Sequence, residues 1–485
     1  MCHASLEFAG IRIDLISGRV GSMSLRDDAI AIWNAGVAAV DSARSVTQQV
    51  HVQQDQLWIA DAQFSLSAAS RIEVVGAGKA GAGMASGAEA ALLSTFPADR
   101  LSGWVNVPAD CVKRLTRIHL HAARPAGLNE PTQAAVDGTQ EILRRVQALS
   151  SSDICLVLLS GGASALLCSP SPGISLDDKL SVTRALAGSG APIHELNLVR
   201  TQLSQVKGGR LAAACRAGTL VALIISDVIG DPLEIIASGP TTVGTARAAD
   251  ALTVLRGRGL LDRIPPRVVE FLERQTNIAL TAESNSETSQ TCTVVNRIVA
   301  SNAMAIHAAA VKAGELGYEV QSLGSANAGE AAEEGRRLIH RLLEISAVCD
   351  SASRYSAQAN QRRVCILSGG EPTVNLTNGG VPTARGGRNQ ELVLAAIAAH
   401  PDPADWKNIA LLSGGTDGED GPTDAAGAFA DEALVAEIVA CGSDPRHYLS
   451  RHDSYTFFEA VHGLFKTGPT HTNVMDLRVG LCAST

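Results

Sequence analysis

Aromatic side chains make up only 3% of the 485 residues, too few for the stacked rings on which single-stranded nucleic acid is held. A basic run is missing too. With a net charge of −9 the chain offers no positive face to a phosphate backbone, so any anion must be gripped locally. None of the ten cysteines forms a Cys-x-x-Cys pair, and most sit in apolar stretches, as Cys155, Cys215 and Cys365 do. That usage fits reduced thiols in a cytoplasmic protein and argues against structural zinc. No apolar stretch reaches the roughly 18 residues of a membrane span, and the first 22 residues lack a basic region leading into an apolar run. Met23, followed by Ser24 as a helix cap, is an alternative start. There is no G-x-x-x-x-G-K-[ST] anywhere, which excludes a P-loop.

What the chain does have is a short apolar run that stops abruptly in Ser-Gly-Gly, three times: Ser160, Gly161 and Gly162; Ser368, Gly369 and Gly370; Ser413, Gly414 and Gly415. Buried parallel strands end this way where a sheet edge presents backbone N–H groups to an anion. A fourth turn, in VVGAGKAGAG, places Gly76, Gly78 and Gly81 between a strand and a helix with Lys79 inside it. Four phosphate-sized turns suggest a nucleotide and a second anionic substrate.

Strand and helix signals alternate from Ile72 onward: Ile72 to Gly76, a helix over Lys79 to Leu93, Trp104 to Val107, a helix over Thr132 to Leu149, and a strand at Ile154. The pattern predicts βαβ units around a mostly parallel, Rossmann-like sheet with flanking helices. An amphipathic helix is expected from Ser24 to about Val46. A single core stops growing at about 250 to 300 residues, so two domains are expected, 23–275 and 291–485, both α/β, with polar stretches at 277–290 and 351–361 as surface segments and a hairpin at Asn378, Gly379 and Gly380.

The chemistry-bearing residues cluster at the ends of these elements. Gly76, Gly78 and Gly81 match the dinucleotide fingerprint G-x-G-x-x-G, although Lys79 within the turn suits a phosphate or carboxylate better than a nicotinamide cofactor. Asp227 and Asp231 follow a buried strand, and of the two Asp227 is the candidate for binding Mg²⁺ or accepting a hydroxyl proton. Arg200, Ser204 and Lys207 stand at helical spacing and would share one face, suited to a carboxylate or phosphate; an ordinary solvated face is the competing reading. Arg388 and Asn389 open an apolar helix, where a cation is disfavoured by the helix dipole unless an anion sits there. Asp417, Glu419, Asp420 and Asp424 form an acid-rich loop whose spacing fails the EF-hand pattern but could serve a Mg²⁺-phosphate site.

Taken together, VVGAGKAGAGMA, LLSGGASALL, LNLVRTQLSQVKGG, SDVIGDPLEIIASGPT, LSGGEPTV, GGRNQELVLA, SGGTDGEDGPTDAAGAF and TGPTHTNVMDL closely resemble the class II glycerate kinases, over nearly the whole chain from about Met23. The resemblance implies ATP-dependent phosphorylation of D-glycerate to 2-phosphoglycerate with Mg²⁺, an active site in the cleft between two domains, and a C-terminal MOFRL domain at about 362–480. The family's invariant lysine and arginine fall on Lys79 and Arg388. Two departures stand out: Arg124-Pro-Ala-Gly where members often carry His-Pro-x-Pro, and His471 where many have glycine.

On this reading Lys79 and Arg388 neutralise the moving phosphoryl charge, and Asp227 orients the acceptor hydroxyl. Arg200 and Lys207 take the glycerate carboxylate or a phosphate, Ser164 and Asn389 join the binding residues, and the Ser-Gly-Gly amides cradle ATP. Mg²⁺ would be held by Asp417 or Asp424. A homodimer is the oligomer considered, and neither nucleic acid nor membrane is an expected partner. The fingerprint alone would instead support an NAD(P)H-dependent hydroxypyruvate reductase, and a non-catalytic nucleotide sensor is a third possibility.

Overall fold

The computed structural model describes residues 24–483 apart from 54, 66–68, 95, 126, 129, 283–291, 354–361 and 377–383. Six strands, β1 (Ile72–Ala77), β2 (Leu101–Pro108), β3 (Ile118–Arg124), β4 (Ile154–Leu159), β5 (Thr219–Ile225) and β6 (Thr293–Ala300), form one sheet. All pairings are parallel and the spatial order is β3-β2-β1-β4-β5-β6. Both β1 and β4 are buried at every position, as continuous apolar runs in a doubly covered sheet must be. Helices Gly81–Leu93 and Gln133–Gln147 make the crossovers from β1 to β2 and from β3 to β4. This order reverses direction between β1 and β4. In open α/β sheets the crevice outside that reversal is where ligands bind.

A second sheet is mixed. It contains β7 (Glu319–Ser322), β8 (Arg363–Gly370), β9 (Ile409–Gly415), β10 (Gly427–Asp431), β11 (Leu464–Phe465) and β12 (Asp476–Ala483), in the order β7-β8-β12-β9-β10-β11. Only β7 and β8 pair in parallel, and β12 lies between β8 and β9, antiparallel to both. A helical lobe built from Leu176–Gly188, Ile193–Gln202, Ala248–Gly257 and Pro266–Ala282 packs around its own small core, with Val182, Leu186, Val199 and Leu255 buried.

Several elements differ from the sequence reading. The opening helix ends at Ala39, and Asp41 caps a separate helix, Ser42–Thr47, by accepting from the Arg44 N–H. The first of these helices packs on the second sheet. Its Ala29, Ile32 and Trp33 enter that sheet's core, and Arg26 grips Asp431. Strand β6, conversely, completes the first sheet. Sheet membership therefore crosses the 23–275 and 291–485 division, because apolar periodicity reveals a buried face but not its partner. The polar stretches begin as helix ends at Asn277–Ala282 and Ser351–Ser353. Met23 and the Asn378–Gly380 hairpin lie outside the described residues.

Candidate active site

Two turns meet at the reversal between β1 and β4. Gly78 has φ +149°, and a Cβ there would collide with the Ser160 hydroxyl and carbonyl, so only glycine fits. The turns brace one another: the Lys79 N–H donates to Gly161 O at 2.8 Å, the Ser160 N–H to Ala77 O at 3.2 Å, and the Ala80 N–H to the Ser160 Oγ at 3.1 Å. Among the described residues the amides of Gly161 and Gly162 donate to no protein acceptor. They remain for a ligand oxygen.

The other two Ser-Gly-Gly copies are corrections to the turn reading. Ser368, Gly369 and Gly370 end β8, and Ser413, Gly414 and Gly415 end β9, in register with Arg478, Leu477 and Asp476 of β12. Their groups are largely spent inside the protein. The Gly369 N–H donates to Gly324 O and the Gly415 N–H to Ala426 O. Ser368 Oγ accepts from Arg478, and Ser413 Oγ donates to Asn389 Oδ1. A sheet ladder competes for the same donors that an anion would use, and here the ladder has them.

Above Gly161 and Gly162, side chains arrive from both sheets. A Cβ on Gly161 would strike Asp227, from the end of β5, and would lie 3.2 Å from Asn473 Nδ2, from the loop before β12. A Cβ on Gly162 would lie 3.3 Å from Lys79 Cγ and 3.5 Å from an Arg124 guanidinium nitrogen. Lys79 Nζ stands 3.6 Å from Asp417 Oδ2, an ion pair that joins the first sheet's glycine turn to the loop after β9. The Asp227 carboxyl is pushed up to about 6 by burial, then by the nearby charges of Glu371 and Asp417 against the pull of Lys79. Burial likewise raises Glu371, with Asp476 and Asp417 adding to it and Arg388 and Lys79 opposing.

Arg388 is held from behind. Its Nε and NH2 make a bidentate pair with the fully buried Asp476 at 2.7 and 3.0 Å, and its NH1 reaches Glu371 Oε1 at 3.0 Å. Asn389 donates through Nδ2 to both Asp476 and Asp420. The Asp420 carboxylate also accepts the backbone N–H groups of Asn389 and Gln390, the first turn of helix Arg388–Ala399. The anion that a cation at this helix start requires is thus supplied by the protein itself, in Asp476, Asp420 and Glu371. Lys79 and Arg388 come from different sheets and converge on the same acidic group, Glu371.

Residues 28–273 match a family model described as "Domain of unknown function (DUF4147)", and residues 364–476 match the MOFRL family model. The glycerate kinase of Rattus norvegicus is 34% identical, with 96% of this chain and 94% of that one covered. The chain belongs to the class II glycerate kinase (MOFRL) family. A solved glycerate kinase from Thermotoga maritima superposes with a TM-score of 0.76 at 31% identity, covering 94% of this chain and 99% of that one. A protein of Agrobacterium vitis named "Putative hydroxypyruvate reductase" is 39% identical, with 84% of this chain and 86% of that one covered.

Against this family background the remaining site candidates divide. Asp424 does not join the acidic group: its oxygens are taken by Tyr455 at 2.7 Å and Lys466 at 2.9 Å. Asp417 is the one of the two that stands beside Lys79. Arg200, Ser204 and Lys207 do not share a helix, which ends at Gln202; Gly208 and Gly209, both at positive φ, fold the chain back instead. Even so, Arg200 and Lys207 converge, both donating to Ser164 O at 3.5 and 3.2 Å. Lys207 is fully buried, so it backs the crevice rather than facing it. Sequence reasoning passed over Glu371, although it directly follows the second Ser-Gly-Gly, and Arg124, which ends β3 and was noted only as a departure.

Proposed function

We propose that this chain transfers the γ-phosphoryl group of ATP to the 2-hydroxyl of D-glycerate, giving 2-phosphoglycerate. The observation that carries the reading is the meeting of Lys79 and Arg388, one from each sheet, around Asp227, Glu371 and Asp417. Phosphoryl transfer needs mainly positioning and neutralised charge, and two cations facing one gap supply both. The amides of Gly161 and Gly162 take phosphate oxygens, Asp227 accepts the proton of the acceptor hydroxyl, and Arg200 at the far side of Ser164 faces the carboxylate or a phosphate.

Mg²⁺ fits the donors present. Among the described residues no three His, Cys, Asp or Glu groups stand close enough to hold an ion unaided. Asp417 and Glu371 nevertheless offer oxygens of the kind with which Mg²⁺ is shared between one or two carboxylates, waters and phosphates. When bound there, the ion would neutralise charge on the β- and γ-phosphate oxygens.

Phosphorus NMR of the product tests the reading, because it separates 2-phosphoglycerate from 3-phosphoglycerate and from no reaction. Lys79→Ala is the cleaner active-site variant, since removing Arg388 would take the bidentate partner from the buried Asp476 carboxylate. If Lys79 acts as a charge-stabilising finger, its loss lowers kcat by about 10³ to 10⁵; near-normal turnover removes it from the mechanism. The reductase reading keeps two supports, the Agrobacterium vitis relative and the glycine turn within a dinucleotide-type strand order. Loss of nicotinamide absorbance with hydroxypyruvate, without ADP release on glycerate, would replace the kinase.

A further inference from the structure

Behind Ser164 four cations gather with no carboxylate among them. Lys179 comes from helix Leu176–Gly188, Arg200 from helix Ile193–Gln202, Lys207 from just before the Gly208-Gly209 break and Arg210 from the start of helix Arg210–Ala214 after it. Lys207 is wholly buried, and its Nζ donates to Ser164 O at 3.2 Å and Ser238 Oγ at 3.0 Å. Lys179 is 3% exposed, and its Nζ reaches Leu203 O at 3.4 Å. Arg200 donates to Ser164 O, and Arg210 to Thr201 O and Gln202 Oε1. Among the described residues none of the four has an ion-pair partner. The acidic side chain facing three of them is the Cys168 thiol.

Buried charge is ordinarily paired, because an uncompensated ion in a low-dielectric interior is costly. Elsewhere this chain obeys the rule: Arg388 and Arg478 share Asp476, and Arg363 has Asp28. Here the cost is visible on the ammonium groups. Burial holds Lys179 down to about 8 and Lys207 well below its ordinary range, with Arg200 repelling both. The cluster also lies in the right place for a ligand. Ser164 is two residues beyond Gly162, and its hydroxyl meets that of Ser238 at 3.1 Å, so the cations back one wall of the crevice at the β1/β4 reversal.

We infer that this cluster is an oxyanion-binding pole, in which Arg200 and the Ser164 and Ser238 hydroxyls touch the anion while Lys179 and Lys207 act as positioning charges behind them. The anion is a carboxylate or a phosphate. Which of the two it is rests on the kinase reading, where the acceptor acid and the nucleotide are the two sources; the pole itself does not depend on it. The acidic site around Asp417 favours the phosphates with their metal, so the carboxylate is the expected occupant.

The test uses the full chain, with inorganic phosphate and D-glycerate as separate probes. Each is expected to raise the melting temperature of the wild-type protein, and Lys179→Met and Arg200→Gln each to abolish that rise. Without an anion, Lys179→Met melts at or above wild type, because an unpaired buried charge is gone. At pH 8, binding draws a proton onto Lys179, read by calorimetry in two buffers of different ionisation enthalpy; Arg200, Lys207, Arg210 and Cys168 are the other groups facing it. In turnover assays Arg200→Gln raises KM for glycerate about tenfold or more, as loss of a charged hydrogen bond does, while KM for ATP stays unchanged; a rise confined to ATP reassigns the pole to a phosphate. Absence of stabilisation by either probe, or its persistence in both variants, overturns the pole. If the wild type shows no kinase activity yet its anion stabilisation is lost in both variants, the kinase reading fails and the pole stands.

Discussion

Asp227 is a carboxylate whose surroundings set both its use and its cost. As a proton acceptor it must be ionised, so kcat/KM is expected to fall as pH drops through about 6. Because Glu371 is the second cause of that elevation, Glu371→Gln should move the acid limb of the pH profile to lower pH. The stability sign is opposite. A carboxyl raised from 3.8 to about 6 in the folded state favours folding when protonated, and that contribution is lost as pH rises through the folded value. Asp227→Asn should therefore melt higher than wild type at pH 8 while losing turnover. At His471 the expectation is simpler: it is exposed at φ +60°, a conformation glycine adopts freely, so His471→Gly should stabilise by about 1 kcal/mol in denaturant titration.

Among the elements, helix Arg388–Ala399 shows how a local conflict can be read correctly as a sign of function and wrongly as to its cause. A cation at a helix start needs an anion, which the sequence made evident; that the anions are Asp476 and Asp420, far along the chain, depended on how β12 and the acid-rich loop pack. Asp420 serves as this helix's cap in place of Gly387, which has no side chain. Asp420→Ala should cost about 0.5 to 2 kcal/mol, the range for losing a cap, and lower kcat as well, because Asn389, which also donates to the Asp476 that holds Arg388, loses its brace. The paired melt and kinetic measurements separate this from a purely structural role, which would leave kcat intact below the melting range. The Ser-Gly-Gly copies teach the same lesson. Three identical strings became one open turn and two strand ends, since the Gly161 and Gly162 amides lie where no neighbouring strand claims them.

Across the whole molecule the chain crosses between its two six-stranded sheets. The first helix completes the second sheet's core, with Trp33 wholly buried and its indole N–H donating to Gly414 O at 3.3 Å. A fragment beginning at residue 291 should therefore fail to fold, because it lacks that helix and carries β6 without its sheet; loss of cooperative melting by circular dichroism checks this. Trp33→Ala in the full chain should cost about 3 to 5 kcal/mol, as emptying a buried aromatic site does.

The sequence by itself determined the parallel sheet, its glycine turn at Gly78 and Lys79, and the identity of most groups that carry charge into the crevice. Strand burial, glycine placement and helix starts are local, and local patterning encodes them. Tertiary structure alone decided that Glu371 and Arg124 belong with Lys79, that Asp417 rather than Asp424 does, and that Lys179 stands behind Lys207 without a counter-charge. Those relations depend on which distant strands become neighbours, a property of packing between sheets that no spacing along the chain records.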